Sequence, residues 1–392
     1  MGVRYAVIGA GRQGTAAAYD LARHGGAERI WMADADRSQA ERAAQRVNAL
    51  LGVDLATPAS LDASDPHGVA EWLRRERISA FLSAVPYYFN LGLTHAAIQA
   101  GASMTDLGGN SDVVFAQIDL SPDAEQAGIG VVPDCGQVPG MGTSLVVYAL
   151  EQLDQPSEVF MWDCGLPAHP EPPWNYRLTF SIDGLTNEYD GDCLYIRDGK
   201  TVRLPTFEEL EIVEFPAPIG KLEAFTSAGG LTTAARTYAG KLKTLQNKTL
   251  RYPGNFVQLK TIQQLGLLGL EPIQVQGQPV TPRQVLHALW EPQIRADSDI
   301  EDLIIIRILA RGKKAGKPVD VWVDLIHYAD KATGFTAMEQ GTGWHAAILL
   351  EAIVEGRTPK GVVPVELAMS GAEFVRQAAT RGFKVQLRLE SG

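Results

Sequence analysis

Along residues 5–153, apolar runs of strand length alternate with stretches whose apolar residues recur every three to four positions. The runs at 5–9, 29–33, 80–84, 103–106 and 129–132 predict strands. The stretches at 13–24, 38–51, 66–77, 90–100 and 141–153 predict helices, with Pro66 at a first-turn position. Continuous apolar strands separated by helices indicate a parallel sheet covered on both faces.

After Leu153 the period changes. Residues 176–182 and 319–325 alternate apolar and polar side chains, and 303–310 is an apolar run broken by Arg307. The polar, glycine-bearing stretch 311–317 reads as the loop of a hairpin. Alternation at period two predicts a mostly antiparallel sheet with one wet face. Near Gly341 the helical period returns, at 344–354 before Gly356 and at 373–380 before Gly382. No internal repeat or low-complexity segment interrupts this order.

The first strand runs into Gly9-Ala10-Gly11-Arg12-Gln13-Gly14, a G-x-G-x-x-G that opens a helix. Asp34 ends the second strand, 20 residues after Gly14. Strand, glycine turn, helix and downstream carboxylate together form the dinucleotide-binding fingerprint. Gly9 permits the tight turn, Gly11 lets backbone approach a diphosphate, and Gly14 lets the helix pack on the strand. Free N–H groups at the helix start, including those of Arg12 and Gln13, attract the phosphates. The Asp34 carboxylate accepts from ribose hydroxyls and repels a 2′-phosphate, which predicts NAD. Asp62, after the segment 55–61, is a candidate for the adenine amino group or else a loop cap. Ser83, Val85 and Pro86 follow the fourth strand, where open α/β sheets bind ligands.

This gives an α/β chain: a Rossmann doubly wound parallel sheet with an inserted α+β domain built on a mostly antiparallel sheet. The expected division is 1–135 for the dinucleotide-binding part, 136–340 for substrate binding and dimerisation, and 341–392 for a return to the Rossmann domain. The 35 basic and 46 acidic residues leave a net charge of −11, which repels nucleic acid. No apolar run approaches the roughly 18 residues that span a bilayer. Three cysteines without C-x-x-C spacing, and a start with no signal pattern, lead to an expected cytoplasmic setting and no metal. Asn247-Lys248-Thr249 matches a glycosylation sequon that such a setting leaves unused.

Further motifs follow in order: Asp106-Leu107-Gly108-Gly109-Asn110, Pro133-Asp134-Cys135-Gly136, Pro139-Gly140-Met141, Gly229-Gly230-Leu231, Tyr238-Ala239-Gly240-Lys241, Thr249-Leu250-Arg251-Tyr252-Pro253-Gly254 and Gly361-Val362-Val363-Pro364-Val365-Glu366. Together they resemble the saccharopine dehydrogenase-like family, over nearly the whole chain, and most of all its lysine 6-dehydrogenase branch. The resemblance implies NAD-dependent oxidation of the ε-amine of L-lysine. The product is 2-aminoadipate 6-semialdehyde, which cyclises to piperideine-6-carboxylate. It also implies a homo-oligomer, a dimer or larger. Asn255 stands where a histidine is expected after Arg-Tyr-Pro-Gly.

Hydride loss from the ε-carbon requires a neutral amine, and free lysine ammonium has a pKa near about 10.4. A base or orienter is therefore needed, and Asp106, Tyr238 and Lys241 are the candidates. Arginine best suits the substrate α-carboxylate, which singles out Arg236 and Arg251, with Tyr252 beside the latter. Cys135, His169 and His345 read as lining or packing residues. Two alternatives stand beside this reading. One is reductive condensation with NAD(P)H, as in saccharopine reductase or carboxynorspermidine dehydrogenase. The other is a non-catalytic NAD-binding sensor.

Overall fold

The structure is a computed structural model that describes residues 2–391. Its first strands are β1 (Val3–Ile8), β2 (Ala27–Asp34), β3 (Ala56–Ser60), β4 (Ala80–Ser83), β5 (Ser103–Asp106) and β6 (Gly130–Val132). The helices between and after them are α1 (Arg12–His24), α2 (Arg37–Leu51), α3 (Pro66–Arg75), α4 (Asn90–Ala100), α5 (Ser111–Ile118), α6 (Ser121–Gln126) and α7 (Gly142–Leu150). Next come β7 (Gln155–Pro167), α8 (Ile182–Glu188), β8 (Asp192–Arg197), β9 (Lys200–Pro205), β10 (Glu211–Glu214) and β11 (Lys221–Thr226). They are followed by α9 (Ala234–Thr237), β12 (Thr244–Arg251), α10 (Asn255–Gln264), β13 (Ile273–Val275), β14 (Gln278–Val280) and α11 (Pro282–Ile294). The chain ends with β15 (Asp302–Lys314), β16 (Lys317–Tyr328), α12 (Ala337–Val354), β17 (Gly361–Val362), α13 (Val365–Ala368), α14 (Gly371–Thr380) and β18 (Val385–Ser391).

The first sheet has seven parallel strands in the order β17-β6-β5-β4-β1-β2-β3. Its strand order reverses at β1, which lies between β4 and β2, and this reversal opens the crevice where such sheets bind ligands. The second sheet follows β10-β11-β12-β7-β15-β16-β18, with β8 and β9 added beside β12. All its pairs are antiparallel except β12 on β7. The expected fold class is therefore the observed one.

Three expectations need correction. Residues 176–182 do not form a strand: they make a single bridge, Leu178 to Arg295, before α8 begins at Ile182. Tyr176, Leu178 and Ile182 are buried, so the alternation reflects burial without pairing. The stretch 311–317 is not a loop, because the β15–β16 ladder continues to Lys314 opposite Lys317 and turns at Ala315-Gly316. Both turn residues have positive φ, the backbone of a two-residue hairpin turn. Lastly, the return to the first sheet after residue 340 is partial, since β18 pairs with β16 and closes the second sheet. We propose seams near 135 and 340, with that last strand crossing back.

Helix α12 joins the two layers. Thr336 and Glu339 form a reciprocal capping box at its start, and Asp302 of β15 accepts from the Ala337 and Met338 N–H groups at 2.6 and 3.0 Å. Every residue from Ala337 to Ile353 is buried. A Cβ on Gly343 would lie 2.8 Å from the Gln13 carbonyl oxygen and 2.9 Å from the Ala17 nitrogen, so α12 meets the backbone of α1 directly. The Trp344 indole N–H donates to the Ala16 carbonyl at 3.1 Å. Arg381, after α14, donates to both Asp20 oxygens of α1 at 2.9 and 2.8 Å and to Glu351 of α12 at 2.7 Å.

Gly343→Ala sets two effects against each other. Alanine gains about 1 kcal/mol of helix propensity, but the new methyl meets main-chain atoms that cannot rotate away. Overpacking of this kind costs about 1–3 kcal/mol. Urea denaturation of the variant is expected to show a net loss of stability; a gain would mean that α1 and α12 separate easily.

Candidate functional site

A cleft of about 790 Å³ runs beyond the carboxyl ends of β1, β4, β5 and β6 and on to α8 of the second part. One wall is the glycine turn. A Cβ on Gly9 would lie 2.5 Å from the Ala84 carbonyl oxygen, and one on Gly14 would lie 2.0 Å from the Gly9 carbonyl oxygen. Both positions therefore exclude a side chain. Nothing lies within 4 Å of a Cβ on Gly11, which faces the cleft. Helix α1 has no side-chain cap, whereas Asp36 caps α2 and Asp65 caps α3. Its first N–H groups are thus free for a ligand.

The side chains beside this turn are under-satisfied. Gln13 lines the cleft, and both its amide atoms are buried without a hydrogen-bond partner. Arg12 donates from Nε to Glu339 at 2.7 Å, while its Nη2 has no partner. Buried polar groups of this kind are rare in finished interiors, and they fit the phosphate oxygens of a dinucleotide. Asp34 accepts from the Ala10 N–H and the Asp36 N–H, each at 2.9 Å. It braces the turn and keeps further lone pairs for sugar hydroxyls.

Val85 and Pro86 line the cleft; Ser83 is buried behind it and donates to Asn90 at 2.7 Å. Asp62 is exposed and accepts from the Ser64 N–H at 2.9 Å; the Ser64 hydroxyl, then that N–H, hold its carboxyl below the usual range. It has the arrangement of a loop cap.

The expected catalytic residues are not gathered at the cleft. Asp106 is fully buried and accepts from the Gly108 and Asp134 N–H groups and from the Gln117 amide, at 2.8, 3.0 and 2.8 Å. It shapes the loops after β5 and β6 from beneath, and burial raises its pKa. Tyr238 packs against the main core and Lys241 is exposed; neither lines the cleft. Arg236 is also exposed, with its guanidinium 3.1 Å from the Phe115 ring centroid. The Tyr252 hydroxyl donates to the Pro167 carbonyl at 2.9 Å, an internal brace. Asn255 starts α10 and donates to the Trp174 carbonyl at 2.7 Å, away from the cleft. His345 lies between Ser144 and the Cys135 carbonyl, and burial lowers its pKa to about 4.

Two features went unread in the sequence. The first is Asp134, which ends the run after β6 with φ +64° and lines the cleft. Its Oδ2 is buried without a partner. Burial, then the neighbouring Asp106 carboxylate, push its pKa up to about 8, against the pull of the Thr232 hydroxyl. The available signal was its place at the carboxyl end of a central strand, next to a glycine. The second is a recess of about 30 Å³ that sets Asp163, Glu188 and Asn247 beside Arg251, the one member expected from the sequence; several of its walls also line the cleft. Arg251 donates to the Tyr189 hydroxyl at 2.8 Å, to Thr249 at 2.6 Å and to Glu188 at 3.3 Å. Asp163 accepts from Asn247 at 2.6 Å, and burial pushes its pKa up to about 7. Asn247 is buried and paired here, which removes the sequon as an acceptor.

Among the described residues no cluster of three or more His, Cys, Asp or Glu is arranged to hold a metal. No helix is long and apolar enough to cross a membrane.

Residues 5–132 match the saccharopine dehydrogenase NADP binding domain, and residues 136–381 match the saccharopine dehydrogenase C-terminal domain. Apo saccharopine dehydrogenase (L-Glu forming) from Saccharomyces cerevisiae is similar over 99% of this chain and 100% of that one, with a TM-score of 0.77 and 16% identity. An engineered D-amino acid dehydrogenase bound to NADP+ is similar over 94% of each chain, with a TM-score of 0.45 and 14% identity. GenD2 from gentamicin A biosynthesis, in complex with NAD, is similar over 99% of this chain and 96% of that one, with a TM-score of 0.40 and 11% identity.

Asp134 supplies a test of the cleft's electrostatics. Its folded pKa lies above the ordinary carboxylate value, so the folded chain holds a proton that the unfolded chain releases. Stability from this group is complete below about pH 4 and falls as pH rises toward 8. Asp134→Asn, which suits the same backbone, is expected to flatten that fall and to melt higher than the parent at pH 8. Parallel melting curves from pH 5 to 8 would show that the carboxyl titrates normally.

Proposed function

Because the chain belongs to the saccharopine dehydrogenase family, whose two domain models cover residues 5–132 and 136–381, we propose that it is an NAD-dependent oxidoreductase that deaminates the ε-carbon of L-lysine. Membership supports an NAD(P)-dependent oxidoreductase; the choice of lysine and of NAD is our own reading. The observation that carries it is a single cleft with a phosphate-seeking turn at one end and a two-carboxylate, one-guanidinium recess at the other. An α-amino acid head brings one ammonium and one carboxylate. It is larger than the recess, which holds about one or two waters, so in this reading it sits at the mouth, where Glu188 lines the cleft with Asp163 and Arg251 behind it.

In this reading Gly11, Arg12 and Gln13 hold the dinucleotide and Asp34 orients its adenosine sugar. When bound, NAD supplies the hydride acceptor. Asp163 and Glu188 attract the α-ammonium, and Arg251 faces the α-carboxylate. Asp134 takes the proton from the ε-ammonium, whose neutral form releases hydride from carbon. A carboxyl pushed up to about 8 is well matched to that task near neutral pH. Water then adds to the iminium carbon, and ammonia leaves with the aldehyde formed. The roles first assigned to Asp106, Tyr238, Lys241 and Arg236 fit less well, since none of them lines the cleft or its recess.

The size of the cleft favours one alternative. A space of about 790 Å³ also accommodates a second carbon skeleton, as a reductive condensation would need. Lysine and NAD alone decide between the two. We expect NADH to appear at 340 nm without any keto acid, faster as pH rises from 7 to 9. Asp134→Asn should lower kcat by a factor of 10² to 10⁴ with little change in KM for NAD. No absorbance change with lysine, beside oxidation of NADH when a keto acid is added, would establish condensation instead.

We further propose a homo-oligomer. Val257, Leu265, Leu270, Ile273, Val275 and Leu289 are all exposed within one stretch around α10, the β13–β14 hairpin and α11. Such a concentration marks an interaction surface, and a hairpin with open edges pairs readily with its own copy about a twofold axis. Leu265→Glu with Leu289→Glu should halve the mass, or reduce it further, in light scattering at micromolar concentration. An unchanged mass would place the contact elsewhere. The three cysteines are unpaired and buried, which supports a reducing, cytoplasmic setting.

A further inference from the structure

A second cavity, of about 550 Å³, lies at the other end of α1 from the glycine turn. Tyr19, Asp20, Arg23 and His24 of α1 form one wall. The end of β16, Gln340 and Trp344 of α12, and the turn from Arg381 to Lys384 form the others. None of these residues lines the cleft.

The floor is electrostatically closed. Arg381 is 7% exposed and is spent on Asp20 and Glu351. Asp330, at the rim, is engaged by the Ala332 N–H and the Thr333 hydroxyl at 3.0 and 2.7 Å. Two cations remain. Arg23 donates only to the Tyr19 hydroxyl, at 2.9 Å, and Lys384 forms no ion pair among the described residues. Open aromatic surface lies beside them on Tyr328, which is 45% exposed, while Tyr19 and Trp344 line the cavity as buried rings packed against Phe335 and Phe383.

We propose that this cavity is a second ligand site, taking a small organic anion with a flat ring, and that its occupant acts on the cofactor turn. Arg23 and Lys384 meet the anion, and the exposed Tyr328 meets the ring. The volume falls within the range of small-molecule sites, about 300–1,000 Å³. Two rigid elements lead to the cleft. Helix α1 carries Arg12 and Gln13 at its far end, roughly 15 Å away at 1.5 Å per residue. In α12, Gln340 and Trp344 wall the cavity, Glu339 holds Arg12, and Met338 and Thr342 line the cleft. An occupant that shifts α1 against α12 therefore changes the grip on the dinucleotide, with an expected coupling of 5-fold or more.

The first measurement uses the full chain without cofactor and the second adds NAD, and both read binding alone, so neither outcome depends on the proposed reaction. Picolinate and phenyl phosphate present the two anion types on a ring, and inorganic phosphate presents charge alone. Calorimetry, with tryptophan fluorescence to report Trp344, should show one of the ring-bearing anions binding with Kd below 1 mM and phosphate at least tenfold weaker. The double variant Arg23→Glu, Lys384→Glu changes exposed side chains only and should abolish that binding without lowering the melting temperature. Saturating probe should then shift the Kd for NAD at least 5-fold in the parent and not in the variant. No binding of either ring-bearing probe, or binding that survives the double variant, overturns the site. Phosphate binding as tightly as the others overturns the ring requirement, and an unmoved Kd for NAD overturns the coupling.

Discussion

The contact between α1 and α12 is the constraint on which the rest of the molecule depends. It is a meeting of main chains at Gly343, with no side chain between. Beside it the buried Glu339 both caps its own helix and neutralises Arg12 of the glycine turn. The start of α12 is held by Asp302 from the second sheet, whereas its body lies on the first. A residue that positions the cofactor turn is thus fixed by an element anchored in the other half of the molecule. The two layers share one geometry at the cleft, which a flexible linker would not give.

That arrangement makes the proposed chemistry intelligible. Groups facing the glycine turn are short of partners, as at Gln13 and Arg12 Nη2, and the far recess sets two carboxyl groups against one guanidinium, Asp163 and Glu188 beside Arg251. Between them Asp134 is held in a left-handed backbone conformation with one oxygen unclaimed. Its neighbour Asp106 spends both oxygens on loop N–H groups and an amide, and so raises the proton affinity of Asp134 without facing the cleft itself. One carboxylate is structural and the other is poised, although the two are nearly adjacent.

The centre of the first sheet was legible because β4, β5 and β6 are buried throughout and β1 and β2 over four residues each, so apolarity reports the structure directly. The edge strands went unpredicted, β3 because Ser60 is exposed and Thr57 and Pro58 are half-buried, and β17 because it has two residues. The glycine turn was legible for a related reason: Gly9 and Gly14 are excluded from bearing side chains by backbone atoms close in sequence or register. The second sheet was harder to read. Strand β7 carries Pro156, Gly165 and Pro167 and is buried unevenly, so its 13 residues lack a clean period. Residues 176–182 show the reverse, a period without a ladder. The chemistry was least visible, since the environment of Asp134 depends on Asp106 and Thr232, and the recess joins Asp163, Glu188 and Arg251 from three elements of the second part. Motif proximity pointed instead to Tyr238, Lys241 and Arg236, which share a short segment away from the cleft, the first packed on the core and the other two exposed.

The position of α12 along the chain also bears on biosynthesis. The helix that covers the face of β4 and β5 begins at Ala337, and β18, the strand that closes the second sheet, is made later still. Both sheets therefore stay uncovered on one side, or open at an edge, until these late elements have emerged. A nascent chain in that condition carries a large apolar surface, and a chain cut short before α12 would be a client for chaperones instead of a shorter enzyme.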